Sequence, residues 1–228
     1  MITVAEAEKI ILAETRDYGN ETVDFDNAAG RIIAEDIVAD RDLPPCNRVT
    51  MDGIAIQFAA FEKGVRSFRI KAAQAAGDAA IEIQNDDCIE IMTGAALPES
   101  ADTVIRYEDV AIENGIANIS IDTVRQGQNI HSKGKDKKQG DVVLKAGTTI
   151  GPSAISMAAS VGKYIIPVKR LPLVGVISTG SELVDEGSVP EAHQIRSSNS
   201  HTIRAALLQY GINTDLMHLP DDKETTEQ

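Results

Sequence analysis

The spacing of apolar positions changes along the chain, and each change predicts a different kind of element. Near the start Val4, Ala7, Ile10 and Ile11, with Glu14 completing the period, follow helical spacing and give a helix one apolar stripe. Thr3-Val4-Ala5-Glu6 fits a capping box, in which the Thr3 hydroxyl and the Glu6 carboxylate satisfy orphan amides of the first turn. Tyr18-Gly19-Asn20 ends this segment, and Arg31 to Val38 reads as a short strand or helix end. Asp42-Leu43-Pro44-Pro45 then breaks the chain, because two prolines fix φ and bar a continuing helix; a hinge between domains is expected there.

From Ser67 to Val143 the period shortens to that of strands. Phe68 and Ile70, then Ile81 and Ile83, alternate with polar residues, and Cys88 to Met92 is a further short strand. Val104 to Val110 leads to Asn114-Gly115, a dipeptide that suits a type I′ hairpin turn because both central residues need positive φ. Five or six short strands at this spacing predict a compact β barrel or sandwich. Gly151-Pro152 opens a helix over roughly 153–160 that Gly162 ends, and Leu173 to Ile177 is apolar without alternation, as buried parallel strands are. A helix with Ser200 as N-cap, with Ile203, Ala206, Leu207 and Tyr210 on one face and Gly211 at C′, precedes a strand over Thr214 to Leu219. Together these make one βαβ unit. A single unit cannot cover both faces of a parallel sheet, so the chain is expected to be part of a longer protein or to have a partner. The polar tail from Asp221 to Gln228 is expected to fray.

Composition narrows the function classes. In 228 residues the formal charge is −13, which argues against broad binding to nucleic acid or anionic membranes, since both need a positive field. Two cysteines, Cys46 and Cys88, are too few for a disulfide framework, and no apolar run approaches the ~20 residues of a membrane helix. The first residues do not form a secretion signal, and a soluble cytoplasmic protein is expected.

Candidate chemistry lies in four loops. Thr50-Met51-Asp52-Gly53 reads either as an Asp-Gly turn or as a carboxylate carried on a rigid hinge. Thr93-Gly94-Ala95 leaves a strand end and offers a hydroxyl and accessible amides to an oxyanion. The loop from His131 to Gly140 gathers Lys133, Lys135, Lys137 and Lys138 around Asp136, either as a solvated loop or as a local positive patch for an anion. Ser178-Thr179-Gly180-Ser181-Glu182 follows a parallel strand, where ligands bind in open α/β sheets. Its hydroxyls suit a phosphate, and Glu182 suits Mg²⁺; Asp221 and Asp222, at the end of the next strand, would open on the same edge. The four histidines show no metal spacing and read as surface residues.

In order and spacing, Leu43-Pro44-Pro45 to Met51-Asp52-Gly53, Ile91-Met92-Thr93-Gly94-Ala95, Gly127-Gln128-Asn129-Ile130, Gly147 and Ile177 to Leu183 resemble one family across nearly the whole chain. It is the molybdopterin molybdenumtransferase family, which includes MoeA and the E domain of gephyrin. The resemblance implies an α+β multidomain fold. Residues 1–44 and 138–170 would form a split N-terminal domain, 45–137 an inserted barrel-like β domain, and 171–228 the start of an α/β domain like that of the molybdopterin adenylyltransferase.

The activity implied is joining molybdate to the dithiolene of adenylylated molybdopterin with release of AMP, assisted by Mg²⁺. By motif position the resemblance assigns catalytic roles to Asp52, Thr93, Asp136 and Glu182, and the metal to Glu182 and Asp221; from their own chemistry, Ser178, Thr179, Gly180 and Ser181 with Lys133 and Lys135 are expected to bind substrate. The resemblance further implies a homodimer with the cleft formed across subunits, and the adenylyltransferase as a possible partner. Three positions depart from the pattern: Ile54 stands where the family often has tyrosine, Lys135 where an acidic residue is common, and Cys46 where an aromatic is usual. The competing readings are a non-catalytic dimerising scaffold and an adenylyltransferase of the same pathway.

Overall fold

A computed structural model describes residues 2–221, so Asp222 and the rest of the polar tail lie outside the described residues. The chain forms two compact units, one made of 1–37 with 144–228 and the other of 38–143.

The unit 38–143 is built on a six-stranded mixed sheet. Its strand order is Thr103–Arg106, Gly53–Ile56, Asp87–Ile91, Ser67–Gln74, Ile116–Ile119, Val110–Glu113. Ser67–Gln74 and Asp87–Ile91 run parallel and the other neighbours antiparallel. Both faces are covered. Ile54, Ile56, Phe68, Cys88 and Ile105 enter one apolar cluster, and Ala55, Ile89, Ile91 and Val104 enter a second. Burial also pushes the Cys88 thiol up to about 12, so it is a neutral apolar group in the core.

Double-sided burial explains the strand that hydropathy misses. Gly53–Ile56 is buried at all four positions, so no polar residue marks its alternation. The hairpin is as expected: Asn114 (φ 51°) and Gly115 (φ 79°) join Val110–Glu113 to Ile116–Ile119. The alternation at Ile81 and Ile83 does not make a strand. Their amides donate instead to the Gln74 side-chain oxygen (2.9 Å) and to Ser100 Oγ (2.8 Å), so side chains replace a ladder. Gln74 is fully buried and also donates from Nε2 to the Ala96 carbonyl at 2.7 Å. Gln74→Leu keeps the volume but strands both groups, and urea denaturation should show a loss of roughly 2 kcal/mol.

In the other unit, the helix Val4–Ala13 opens with both arms of the Thr3–Glu6 capping box. It stops at Ala13, earlier than its apolar spacing suggests, and its stripe is exposed: Val4 at 87%, with Ile10, Ile11 and Leu12. Asn20–Asp24 pairs antiparallel with Ile165–Lys169. Ala28, Ile33, Ile150, Ile166 and Val168 form the buried core, with Ala154 and Ala158 of the helix Pro152–Ser160 also buried.

Val174–Thr179 and Thr214–Leu219 pair in parallel, joined through the helix Asn199–Leu208, as the βαβ pattern predicts. The strand is not buried on both sides, however. Only Val176 is buried, while Ile177 and Met217 are exposed. Two details also differ. The loop before the helix holds a short parallel pair, Leu183–Val184 with Ile195–Arg196, and the N-cap is Ser198, with Ser200 buried in the first turn and bonded to Ser197 Oγ at 3.1 Å.

Candidate functional site

The motif residues of 38–143 converge through main-chain bonds. The Gly94 amide donates to the Val49 carbonyl (2.9 Å), Val49 donates to Ala95 (3.0 Å), and Thr50 donates to Asn129 (3.0 Å). Arg48–Val49 pairs with Ile130–His131. Segments 49–53, 93–95 and 127–131, separate in sequence, therefore form one stitched patch. Asn129 takes φ 59°, which its short polar side chain tolerates, and its Nδ2 is tied to the Val104 carbonyl at 2.9 Å.

Asp52 and Thr93 meet within this patch. Asp52 Oδ1 accepts from the Thr93 amide and from the Thr93 hydroxyl, each at 2.7 Å. Both residues are exposed. Two donors on the ionised form hold the Asp52 carboxyl below the usual aspartate range, the Thr93 amide contributing more than the hydroxyl. Among the described residues no protein group donates to Oδ2, so one oxygen is held and the other is available. The Asp52 carboxylate is thus tied across the patch to Thr93.

A depressed carboxyl pKa stabilises the fold above the ordinary aspartate value and loses that contribution as pH falls through the depressed value. Thr93→Val removes the hydroxyl bond and keeps the amide bond. The half-titration pH of Asp52, followed by its carboxyl carbon-13 shift, should move up in that variant; an unchanged value would mean that the hydroxyl carries no part of the anchoring.

The lysine-rich loop is tied down through its backbone, while Lys133, Lys135 and Lys138 stay exposed. The Gly134 amide donates to Pro44 (3.0 Å), Asp136 to Leu43 (2.9 Å), and the Lys133 amide to Asn47 Oδ1 (2.9 Å), so the loop is sewn to the double-proline segment. Lys133 Nζ lies 3.9 Å from Asp42, and Lys137 donates to the Val142 carbonyl at 3.1 Å. Lys135 is exposed, with no side-chain partner among the described residues. Both Asp136 oxygens face His131 Nε2, at 2.9 and 3.0 Å. Asp136 thus pairs with His131, and no hydrogen bond or ion pair among the described residues joins it to Asp52. His131 is a half-buried residue that the loop turns back onto the exposed Asp136, a pairing that spacing does not reveal.

The second group lies in the other unit. Ser178 Oγ donates to the Met217 carbonyl (3.3 Å) and lies 3.3 Å from His218 Nδ1. Gly180 has φ 140°, and its amide donates to Leu219 at 3.3 Å. The Glu182 carboxylate lies over it, since a Cβ at Gly180 would approach Glu182 Oε2 to 2.6 Å. The Asp221 amide donates to Ser181 Oγ at 3.2 Å, joining the loops that follow the two parallel strands. An open cavity of about 360 Å³ adjoins them, lined by Ser178, Ser197, Ser200, His201, Arg204 and His218. Asp185 and Glu186 line it as well, and Glu186 lies 3.2 Å from His201 Nε2, so the cavity at these strand ends is polar and of mixed charge.

These donors also fit a hard cation. Glu182, Asp221 and the serine hydroxyls are oxygen ligands, and Mg²⁺ takes one or two carboxylates and draws further ligands from substrate phosphates and water. Among the described residues no group of three or more His, Cys, Asp or Glu forms an all-protein cage, and none is needed for that mode of binding.

Fold and loops define a mixed α/β protein with carboxylate- and hydroxyl-bearing turns at its strand ends. A family model described as the MoeA N-terminal region (domain I and II) matches residues 2–162, and the chain belongs to the MoeA family. A molybdopterin molybdenumtransferase of Synechocystis sp. is 40% identical over 98% of the chain, which covers 58% of that relative. One from Staphylococcus epidermidis is 34% identical over 97% of the chain and is covered over 54% of its length. A crystal structure of the molybdopterin biosynthesis MoeA protein from Pyrococcus horikoshii superposes with a TM-score of 0.88 at 33% identity, over 98% of this chain and 62% of that one. The chain thus spans little more than half the length of the curated relatives it matches. Among the described residues no helix is long and apolar enough to cross a membrane.

Proposed function

We propose that this chain is the N-terminal portion of a molybdopterin molybdenumtransferase, acting in molybdenum cofactor biosynthesis by inserting molybdate into adenylylated molybdopterin with release of AMP. The observation that carries this reading is the Asp52–Thr93 pair, held at 2.7 Å where three of the family's motif segments converge. The Thr93 amide and hydroxyl are spent on Asp52, and the Gly94 and Ala95 amides on the Val49 and Met92 carbonyls, so this loop serves to hold Asp52 rather than to donate to an oxyanion as its residue types lead one to expect; Asp52 keeps one carboxylate oxygen available to orient a donor group of the substrate. Ser178, Thr179, Gly180 and Ser181 supply hydroxyls and amides for the adenylyl phosphates, and Lys133 and Lys135 add positive charge. Asp136, paired with His131, is the second carboxylate of the 38–143 unit assigned to the reaction, beside Asp52. Glu182 and Asp221 would hold Mg²⁺, which would neutralise charge on those phosphates.

The domain division proposed is a split domain of 1–44 and 138–170, an inserted β domain of 45–137, and the beginning of an adenylyltransferase-like α/β domain over 171–228. We further propose a cytoplasmic homodimer, with the site shared between subunits and the molybdopterin adenylyltransferase as upstream partner. The exposed stripe of Val4, Ile10, Ile11 and Leu12 gives the first helix an apolar surface that a second copy would bury.

The direct test is AMP release from adenylylated molybdopterin, with and without molybdate, by a protein of the relatives' full length and by this 228-residue chain in parallel. Molybdate-dependent release by the longer protein is expected. Its absence under Mg²⁺ overturns the assignment. Release by the shorter chain as well would show that residues 1–228 hold the whole site.

A further inference from the structure

Asp52 is fixed at two points, and the second involves neither Thr93 nor any motif residue. The Tyr107 amide donates to the Asp52 carbonyl at 3.1 Å. Tyr107 opens a 3₁₀ turn, Tyr107–Asp109, directly after the strand Thr103–Arg106, and the turn is closed by Arg106 Nε on Asp109 at 2.7 Å. The Tyr107 hydroxyl donates to Glu90 Oε2 at 2.9 Å. Glu90 belongs to the strand on the other side of Gly53–Ile56 and stands opposite Ile54, two residues from Asp52. One tyrosine therefore spans the central strand, with its amide on the backbone of Asp52 and its phenol on the far neighbour.

We propose that Tyr107, anchored through its phenol to Glu90, is a positioning residue that fixes the Asp52 backbone and so aims the Asp52 carboxylate at Thr93 and the substrate; the proposal rests on the assignment of Asp52 to the reaction above. The anchor is built to persist. Burial, and then the bond to Glu90, push the phenol up to about 12, so it stays a donor throughout the neutral range. Arg106, which leads into the turn, is committed to Asp109 at 2.7 Å. Gly53, which follows Asp52, is laddered between Ile91 and Arg106, with no room for a Cβ against the neighbouring backbone.

Tyr107→Phe removes only the hydroxyl. In a protein of the relatives' full length, kcat should fall about tenfold with KM unchanged, as expected when a reacting group is misaimed and binding is intact. In this chain the carbon-13 titration of Asp52 should move up towards the ordinary aspartate value, and the Thr93 amide resonance should shift. Glu90→Gln keeps an acceptor and should behave as the unsubstituted chain, whereas Glu90→Ala should reproduce Tyr107→Phe. A Tyr107→Phe protein with lowered stability but an unmoved Asp52 titration and Thr93 amide overturns the proposal, as does Glu90→Ala with normal values for both. Failure of the underlying assignment looks different, because Asp52→Ala would then leave turnover intact whatever the titration of Tyr107→Phe shows.

Discussion

Replacing Gly53 with alanine is expected to cost the fold at least about 3 kcal/mol, a large effect for a single methyl group. A Cβ at this position would lie 1.9 Å from the Ile105 carbonyl oxygen and 2.7 Å from the Arg106 Cα. Both are backbone atoms of the neighbouring strand, so no rotamer change relieves the overlap. Gly53 pairs with Ile91 on one side and Arg106 on the other, which leaves the strand nowhere to go. With domain stabilities of ~5–15 kcal/mol, such a cost is a large share of the total. Urea denaturation of Gly53→Ala against Gly175→Ala checks it. Gly175 lies on a strand with nothing within 4 Å of its added Cβ, and its variant should be nearly neutral. If the two variants unfold at the same urea concentration, the close strand approach at Gly53 is not a constraint.

The second large effect concerns turnover. Asp52→Ala in a protein of the relatives' full length is expected to lower molybdate-dependent AMP release by about a thousandfold, the scale of losing a positioned proton-transfer or charge-stabilising group. Stability should change little, because Asp52 and Thr93 are exposed and the freed Thr93 donors can bond to water. Circular dichroism and a denaturation curve alongside the assay separate the two effects. Activity within threefold of the parent would remove Asp52 from the reaction and shift attention to Asp136 and Glu182.

Local signals and long-range ones differ in how far the sequence exposes them. The Thr3–Glu6 capping box, the Asn114-Gly115 hairpin, the Gly151-Pro152 helix start and the parallel pair around 174–179 and 214–219 each depend on residues within a few positions or on one apolar run, and each is present. Gly53–Ile56 was hidden because burial on both faces erases the two-residue period. Ile81 and Ile83 misled for the opposite reason: alternation was there, but Gln74 and Ser100 took the amides that a partner strand would have used. Among the site residues, the motif segments pointed to Asp52 and Thr93, and the structure joins them directly. The bonds of Tyr107 to Asp52 and Glu90, and of His131 to Asp136, reflect how loops fold back, which no periodicity records.

The unit 38–143 leaves and re-enters the rest of the chain at nearly one point. The Ala39 amide donates to Asp141 at 2.9 Å, and the Gly140 amide donates back to Ala39 at 2.9 Å. A segment whose two ends are clasped in this way behaves as a cassette: a short Gly/Ser bridge across 38 and 143 would close it, and new termini could be opened at the Asn114-Gly115 turn without cutting its core. Such a permuted cassette would carry the bonded Asp52–Thr93 pair as a single block that could be exchanged between relatives.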